Sequence, residues 1–144
     1  MEKDKEIKLD IGCGKNKRDG FIGIDIDSNS DADITASALN LPFKNSSVDE
    51  ISSSHLVEHF SPVDLQKFFD EIYRVLKPGA RAWLKADRDW SERRLFRKDI
   101  DHKKRYSVEE IEKMVGKFGY FSVKREIYRF GWHLRNKIFI ELRK

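Results

Sequence analysis

Two stretches carry residues whose types and spacing can do chemistry. The first, HLVEHF at 55–60, sets His55, Glu58 and His59 within five positions. Two imidazoles flanking a carboxylate are donors for a zinc ion. That use needs both histidines on one face of a helix, a third protein ligand and an open position for water. The second, LDIGCGKNKRDGFIGIDID, places Gly12 and Gly14 after an apolar run and Asp25 at the end of the next one. Glycines at the carboxyl end of a strand let a ligand lie against the backbone, and a carboxylate at the end of the following strand can accept both hydroxyls of a ribose.

Which chemistry applies depends on the elements around these residues. Short apolar or small-residue runs at Ile7–Ile11, Phe21–Ile26, Ala32–Thr35, Val48–Ser54 and Ala80–Ala86 predict strands of a mostly parallel sheet covered on both faces. Ser61 is an N-cap candidate followed by Pro62, and Asp64 suits a helix start. Leu65, Phe68, Phe69, Ile72, Val75 and Leu76 then form one apolar stripe, stopped by Pro78-Gly79. Ser107 to Glu110 is a capping box for a second helix carrying Ile111, Met114, Val115 and Phe118. Ser122–Arg129 and Lys137–Leu142 predict two antiparallel strands joined by a connection over Phe130–Asn136. The architecture expected is α/β, Rossmann-like and doubly wound, with a mostly parallel sheet and an antiparallel C-terminal strand. His55 then follows a strand while the next helix begins at Ser61. The zinc spacing therefore lacks its helix, and no metal is expected.

A chain of 144 residues suits a single domain spanning 1–144. Its charged residues, 38% of the chain, interrupt every apolar run well short of the roughly 18 residues a membrane span needs, so no membrane association is expected. The start, MEKDKEIKLDIGCG, reaches strand one without the pattern of a secretory signal. The lone Cys13 offers neither an internal disulfide nor a paired metal ligand. These features predict a cytoplasmic protein. The net charge of +4 does not by itself argue for a nucleic-acid partner.

A dinucleotide fingerprint requires a third glycine and an acid about 20 residues on. Here Gly12-Cys-Gly14-Lys-Asn-Lys lacks that glycine, and Asp25 arrives 13 positions after Gly12. Instead, three ordered blocks, LDIGCG…GFIGIDID, LPFKNSSVDEISSSHLVEHF and IYRVLKPGARAWL, resemble the class I S-adenosylmethionine-dependent methyltransferases, in particular the small type-11-like methyltransferase domains. The resemblance implies S-adenosylmethionine as cofactor. It implies that Asp10, Gly12 and Gly14 form the loop under its methionine part, that Asp25 holds the ribose and that Ser37, Ala38 and Leu39 contact adenine. Ser53, Ser54 and His55 would end the fourth strand beside the reactive methyl group.

Two departures from that pattern are visible. Ser37 stands where an acid is usual. Only about nine residues, Gly12 to Gly20, join the first two strands, fewer than a parallel crossover with its helix normally takes. The first crossover helix is therefore expected to be short or absent and the cleft comparatively open, or closed by an oligomer or partner.

Methyl transfer from a sulfonium needs alignment, and a base when the nucleophile is a hydroxyl or amine. His55 and His102 are the candidates. A basic segment at 88–106, with eight Lys or Arg and four acids over 88–105, follows the fifth strand. It is either a solvated charge run or a lid-like insertion in which Trp90, Phe96 and Tyr106 contact the acceptor. The function expected is methyl transfer to a small molecule or sugar, with an RNA or protein acceptor the less favoured alternative. A non-catalytic cofactor-binding or partner-binding domain is the competing reading, and a zinc hydrolase the least favoured.

Overall fold

The computed structural model describes residues 5–87, 106–130 and 133–144. Over these residues the chain runs β1 (Lys8–Ile11), β2 (Ile22–Asp25), β3 (Ile34–Thr35), β4 (Val48–Ser54), a 3-10 turn (Val57–His59), α1 (Pro62–Val75), β5 (Leu76–Asp87), α2 (Val108–Met114), β6 (Tyr120–Phe130) and β7 (His133–Arg143). The strands form one sheet in the order β3-β2-β1-β4-β5-β7-β6. The first five strands are parallel, and β7 inserts antiparallel between β5 and β6. This is the expected α/β, Rossmann-like, mostly parallel sheet with an antiparallel C-terminal end.

Alternation along the strands decides where the core sits. Leu9, Ile11, Ile24, Ile51, Ala82, Leu84, Ile140 and Leu142 are buried and lie in register on one face. Helix α1 lays its stripe against that face: Leu65, Phe68, Phe69 and Ile72 are fully buried, each stabilising the fold by roughly 1.5–3 kcal/mol relative to exposure. Its start follows the sequence signals, with the Ser61 hydroxyl accepting from the Asp64 amide at 3.2 Å and Pro62 at the first position. In α2 the capping box closes, Ser107 Oγ accepting from Glu110 N at 3.1 Å and Glu110 Oε2 from Ser107 N at 2.8 Å. Ile111 packs into the same core, and Tyr73 meets Phe118 edge-on with centroids 5.2 Å apart.

Among the described residues both helices pack on one face, and the other presents Lys8, Glu50, Ser52, Arg81, Trp83, Lys85, Phe139 and Glu141 at the intervening positions. Trp83 is 43% exposed there. Those strands alternate small or charged residues with apolar ones, the pattern of a sheet with one dry face.

The first crossover helix is absent. Residues 12–21 run as turns, tied down by the Arg18 amide donating to Asp10 Oδ2 at 2.8 Å and by Lys17 bridging to Asp33 at 3.0 Å. Asp33 also accepts from the Gly23 amide at 2.7 Å. This loop lies across β2 where β2 has no side chain: a Cβ on Gly23 would stand 2.7 Å from Lys17 Cδ and 3.0 Å from Cys13 Sγ. The short connection therefore requires a glycine in the middle of β2.

Three smaller differences have local causes. Pro78-Gly79 does not precede β5 but lies within it, because the chain leaves α1 at Leu76 already extended and pairs at once with Val48. The connection expected over Phe130–Asn136 shrinks to residues 131–132, since β6 and β7 stay paired up to Phe130↔His133. Tyr106, read as an acceptor contact, is buried in the core, its hydroxyl donating to the Phe60 carbonyl at 2.7 Å. The rest of the basic segment, 88–105, including Trp90, Phe96 and His102, lies outside the described residues. Among the described residues no helix is long and apolar enough to cross a membrane.

Candidate functional site

The carboxyl ends of β1 and β2 meet at a glycine turn. Beyond Ile11 the chain bends over β2, with the amides of Gly12 and Cys13 both donating to the Ile24 carbonyl, at 2.7 and 3.3 Å. Gly12 has φ +70, and a Cβ there would press on the Leu56 side chain at 3.1 Å. A side chain at this position is thus strained by the backbone conformation and crowds Leu56. The Gly14 amide donates to Asp25 Oδ2 at 2.8 Å, and the Asp27 amide donates to Oδ1 at 2.9 Å. Each oxygen of Asp25 has one bond from the protein, leaving one further acceptor site on each for a ligand hydroxyl.

Asp10 has a different place. It is 7% exposed, and its Oδ2 is taken by the Arg18 amide, so it holds the turn from beneath. Cys13 is buried beside it. Burial first, and then the negative charges of Asp10 and Asp25, push its thiol above the ordinary value.

The third wall is the loop after β3. Ser37 Oγ accepts from the Leu39 amide at 3.1 Å and so turns its hydroxyl back on the loop. The next stretch, Leu41-Pro-Phe-Lys-Asn45, is pinned to α1 by Glu71 and Arg74. Glu71 Oε2 accepts from the Leu41 amide at 2.7 Å, while Arg74 donates to the carbonyls of Leu41 (3.0 Å) and Phe43 (2.8 Å), to Asn45 Oδ1 (3.0 Å) and to Glu71 itself (2.7 and 2.8 Å). Blocks that are 30 residues apart in sequence are thereby one structural unit.

A cavity of about 230 Å³ opens between these parts. Of the residues expected at the cofactor, Gly12, Asp25, Ser37, Ala38 and Leu39 line it together. Asp10 and Gly14 support it from outside the lining, and Ser54 belongs to a second cavity, of about 360 Å³, against the sheet face that carries Ser52, Trp83 and Lys85. Sequence reasoning missed Ile11, Ile24, Ile26 and Ala36, at or just after the strand ends, and Leu56, His59, Phe60 and Asp64, which come from the stretch between β4 and the first turn of α1. A signal for the second group existed: the turn between β4 and α1 must cross the carboxyl end of the sheet, where ligands bind in such folds. The lining suits a nucleoside, with apolar walls, a glycine floor and two carboxylates, of which Asp25 ends β2 with acceptor capacity left on both oxygens.

In HLVEH the two histidines part company. His55, just past β4, has a left-handed backbone at φ +59, and His59 ends the 3-10 turn and lines the cavity. They do not share a helix face. Among the described residues no group of His, Cys, Asp and Glu is arranged to hold a metal ion. Glu58 is buried, with one oxygen 3.6 Å from His55 Nδ1.

Over residues 9–84, more than half of the chain, the sequence matches the methyltransferase domain family. No curated protein matches by sequence. Among solved structures, a phosphoethanolamine N-methyltransferase 2 from Haemonchus contortus, in complex with phosphomonomethylethanolamine and S-adenosylhomocysteine, superposes with TM-score 0.76 at 19% identity over 100% of this chain. The chain spans 50% of that enzyme's length. An S-adenosylmethionine-dependent methyltransferase from Archaeoglobus fulgidus gives TM-score 0.77 at 18% identity, covering 96% of this chain and 86% of the other. One from Methanosarcina mazei gives 0.66 at 20%, covering 97% and 93%. At these identities the likeness shows the fold, and the sequence match shows the kinship. The glycine turn, the acid ending β2 and the β4–α1 turn all lie within the matched span, and the chain belongs to the methyltransferase domain family.

Proposed function

We propose that this chain binds S-adenosylmethionine in the 230 Å³ cavity and transfers its methyl group to a small-molecule acceptor, a sugar or another low-molecular-weight alcohol or amine. The observation that carries this reading is the convergence of Gly12, Asp25 and Ser37–Leu39, from three separate connections, on one cavity in a chain of the methyltransferase family.

When bound, the cofactor supplies a methyl group on a sulfonium, whose leaving group is already activated. The protein's own residues orient and exclude. Asp25 has acceptor capacity for ribose hydroxyls. Gly12 leaves room beside Leu56, and the backbone of Ser37–Leu39 offers polar groups towards the adenine end in place of a carboxylate. His55, at the end of β4, is the candidate to take a proton from the acceptor. The work required is mostly alignment, which a rigid sheet end provides. Support for a small acceptor comes from the Haemonchus enzyme, whose complex holds phosphomonomethylethanolamine.

Calorimetric titration with S-adenosylmethionine and S-adenosylhomocysteine tests the binding half. Micromolar to submillimolar binding that Asp25→Ala weakens at least tenfold is expected, and absence of binding at millimolar cofactor would overturn it. Incubation with methyl-labelled cofactor and fractionated cell extract tests the acceptor: label in the low-molecular-weight fraction supports the reading, whereas label confined to RNA or protein overturns its acceptor class. Tight binding without transfer to any fraction would point instead to a non-catalytic cofactor-binding domain.

A further inference from the structure

We infer that β6 is the edge through which two copies of this chain pair, the two strands lying antiparallel about a two-fold axis at Arg125 and joining both sheets into one. The inference does not rest on the methyl-transfer reading, because the 230 Å³ cavity lies at the ends of β1 and β2, towards the opposite edge of the sheet.

Main-chain directions show what this edge offers. The His55 amide donates to the Lys85 carbonyl at 2.8 Å, so Lys85 turns its main chain towards β4, and Ala82, Leu84 and Ala86 turn theirs towards β7. The Lys144 amide, donating to the Ala80 carbonyl at 3.2 Å, follows the same alternation. Carried through the register of β7 with β6, it directs the main chain of Ser122, Lys124 and Glu126 to β7. That of Phe121, Val123, Arg125 and Ile127 then points away from the sheet. Among the described residues β6 is the last strand on this side. It runs for 11 residues without a proline, a glycine or a break in register, and so lacks the proline and the bulge that commonly blunt an edge. It also holds most of the large apolar side chains left exposed among the described residues: Tyr120, Phe121, Ile127 and Tyr128 are 48, 37, 58 and 41% exposed.

The charges on the strand select a second copy as its occupant, and one register. With the axis at Arg125, Lys124 of each copy stands opposite Glu126 of the other, twice by symmetry. These are the close, non-hydrogen-bonded positions, where cross-strand side chains interact most. Glu126 accepts from the Tyr128 hydroxyl through Oε2, which holds the carboxylate on the edge with acceptor capacity to spare. The same register sets Val123 opposite Ile127, again twice, and brings the outward main-chain groups into hydrogen-bonded pairs. Arg125 faces its own copy, yet its guanidinium lies back over β7, Nε and Nη2 donating to Asn136 Oδ1 at 3.0 and 2.8 Å. Moving the axis by one residue sets Lys124 against Lys124 or Glu126 against Glu126, so like charges oppose the neighbouring registers. Ser122, Lys124 and Glu126 also line the cavity of about 360 Å³, and the pairing therefore brings the second copy to its rim.

The test uses the full chain. Sedimentation equilibrium over a range of concentrations should show a species of twice the chain mass. Lys124→Glu and Glu126→Lys, each of which makes both cross-strand pairs alike in charge, should each weaken the dimer at least tenfold. The double exchange restores opposite charges and should return the dissociation constant to within threefold of the wild type. Ile127→Pro removes an outward amide and leaves the ladder to β7 intact, so it should weaken the dimer at least tenfold while the thermal midpoint of the diluted chain is kept. A dimer that survives Ile127→Pro, or that the double exchange fails to restore, overturns the inference. Hydrogen exchange of the wild type decides should a variant fail to fold: the amides of Phe121, Val123, Arg125 and Ile127 should be protected in concentrated solution and lose protection on dilution. A chain that stays monomeric to millimolar concentration, with those amides exchanging equally fast throughout, leaves the edge to a different protein and overturns the inference.

Discussion

The Gly14 amide donates to Asp25 Oδ2 at 2.8 Å, so the glycine turn after β1 and the acid that ends β2 are locked to each other before any ligand arrives. The partner amide, Asp27 N, holds the second oxygen at 2.9 Å. Asp25→Asn preserves size but replaces one acceptor oxygen with a donor facing an amide. The cofactor dissociation constant measured by calorimetry should rise at least tenfold, equivalent to about 1.4 kcal/mol or more. The thermal midpoint should fall by several degrees as the turn loosens.

Arg74 and Glu71 predict a coupling between helix α1 and the loop at Leu41–Asn45. Arg74→Ala strands Glu71 and the carbonyls of Leu41 and Phe43 in a partly buried network. Denaturant unfolding should show a loss of about 2–3 kcal/mol, in line with charge-assisted bonds at partly buried sites. Amide exchange should speed up over residues 37–45 relative to the wild type.

The same network sets the acid limb of stability. Arg74 first, and then the Leu41 amide against the opposing effect of burial, holds the Glu71 carboxyl below its ordinary value of 4.5. Lys77, followed by the Ile7 amide, holds Asp49 below 3.8. A depressed carboxylate contributes stability that is fully present above its unfolded value and is lost as pH falls through its folded value. From these two groups stability should be flat above about pH 5 and decline below about pH 4. Arg74→Ala should show a shallower decline, because the Glu71 share is already gone; thermal midpoints between pH 3 and pH 7 measure both.

Gly12 and Gly23 should separate binding from folding. Gly12→Ala sets a methyl 3.1 Å from Leu56 in a backbone at φ +70, on the cavity lining; binding should weaken at least tenfold with a modest loss of stability. Gly23→Val drives side-chain atoms into Lys17 and Cys13, lifting the crossover loop from β2, and should cost about 1–3 kcal/mol in unfolding free energy.

Legibility in a single sequence depends on range. Helix α1 was readable because its cap, its proline and its apolar stripe are local, and the same holds for the capping box of α2. The strands were readable as short apolar runs; Gly12 and Asp25 stood out by their places at the strand ends, and Ser37–Leu39 by the family resemblance, and all of them line one cavity. Tyr106 was misplaced because the basic residues before it look alike whether they end in solvent or at a core, and burial is a tertiary property.

By itself, the sequence determined the α/β alternation, the missing first crossover helix and the acid that ends β2, because each depends on neighbours within a dozen residues. Only the tertiary structure decided that Arg74 anchors the loop at Leu41–Asn45, that His59 rather than His55 lines the 230 Å³ cavity, and that both described helices lie on one face of the sheet. Those facts depend on strand register and on which side of the sheet each connection passes. A one-residue change in register would exchange the two faces without altering any local signal.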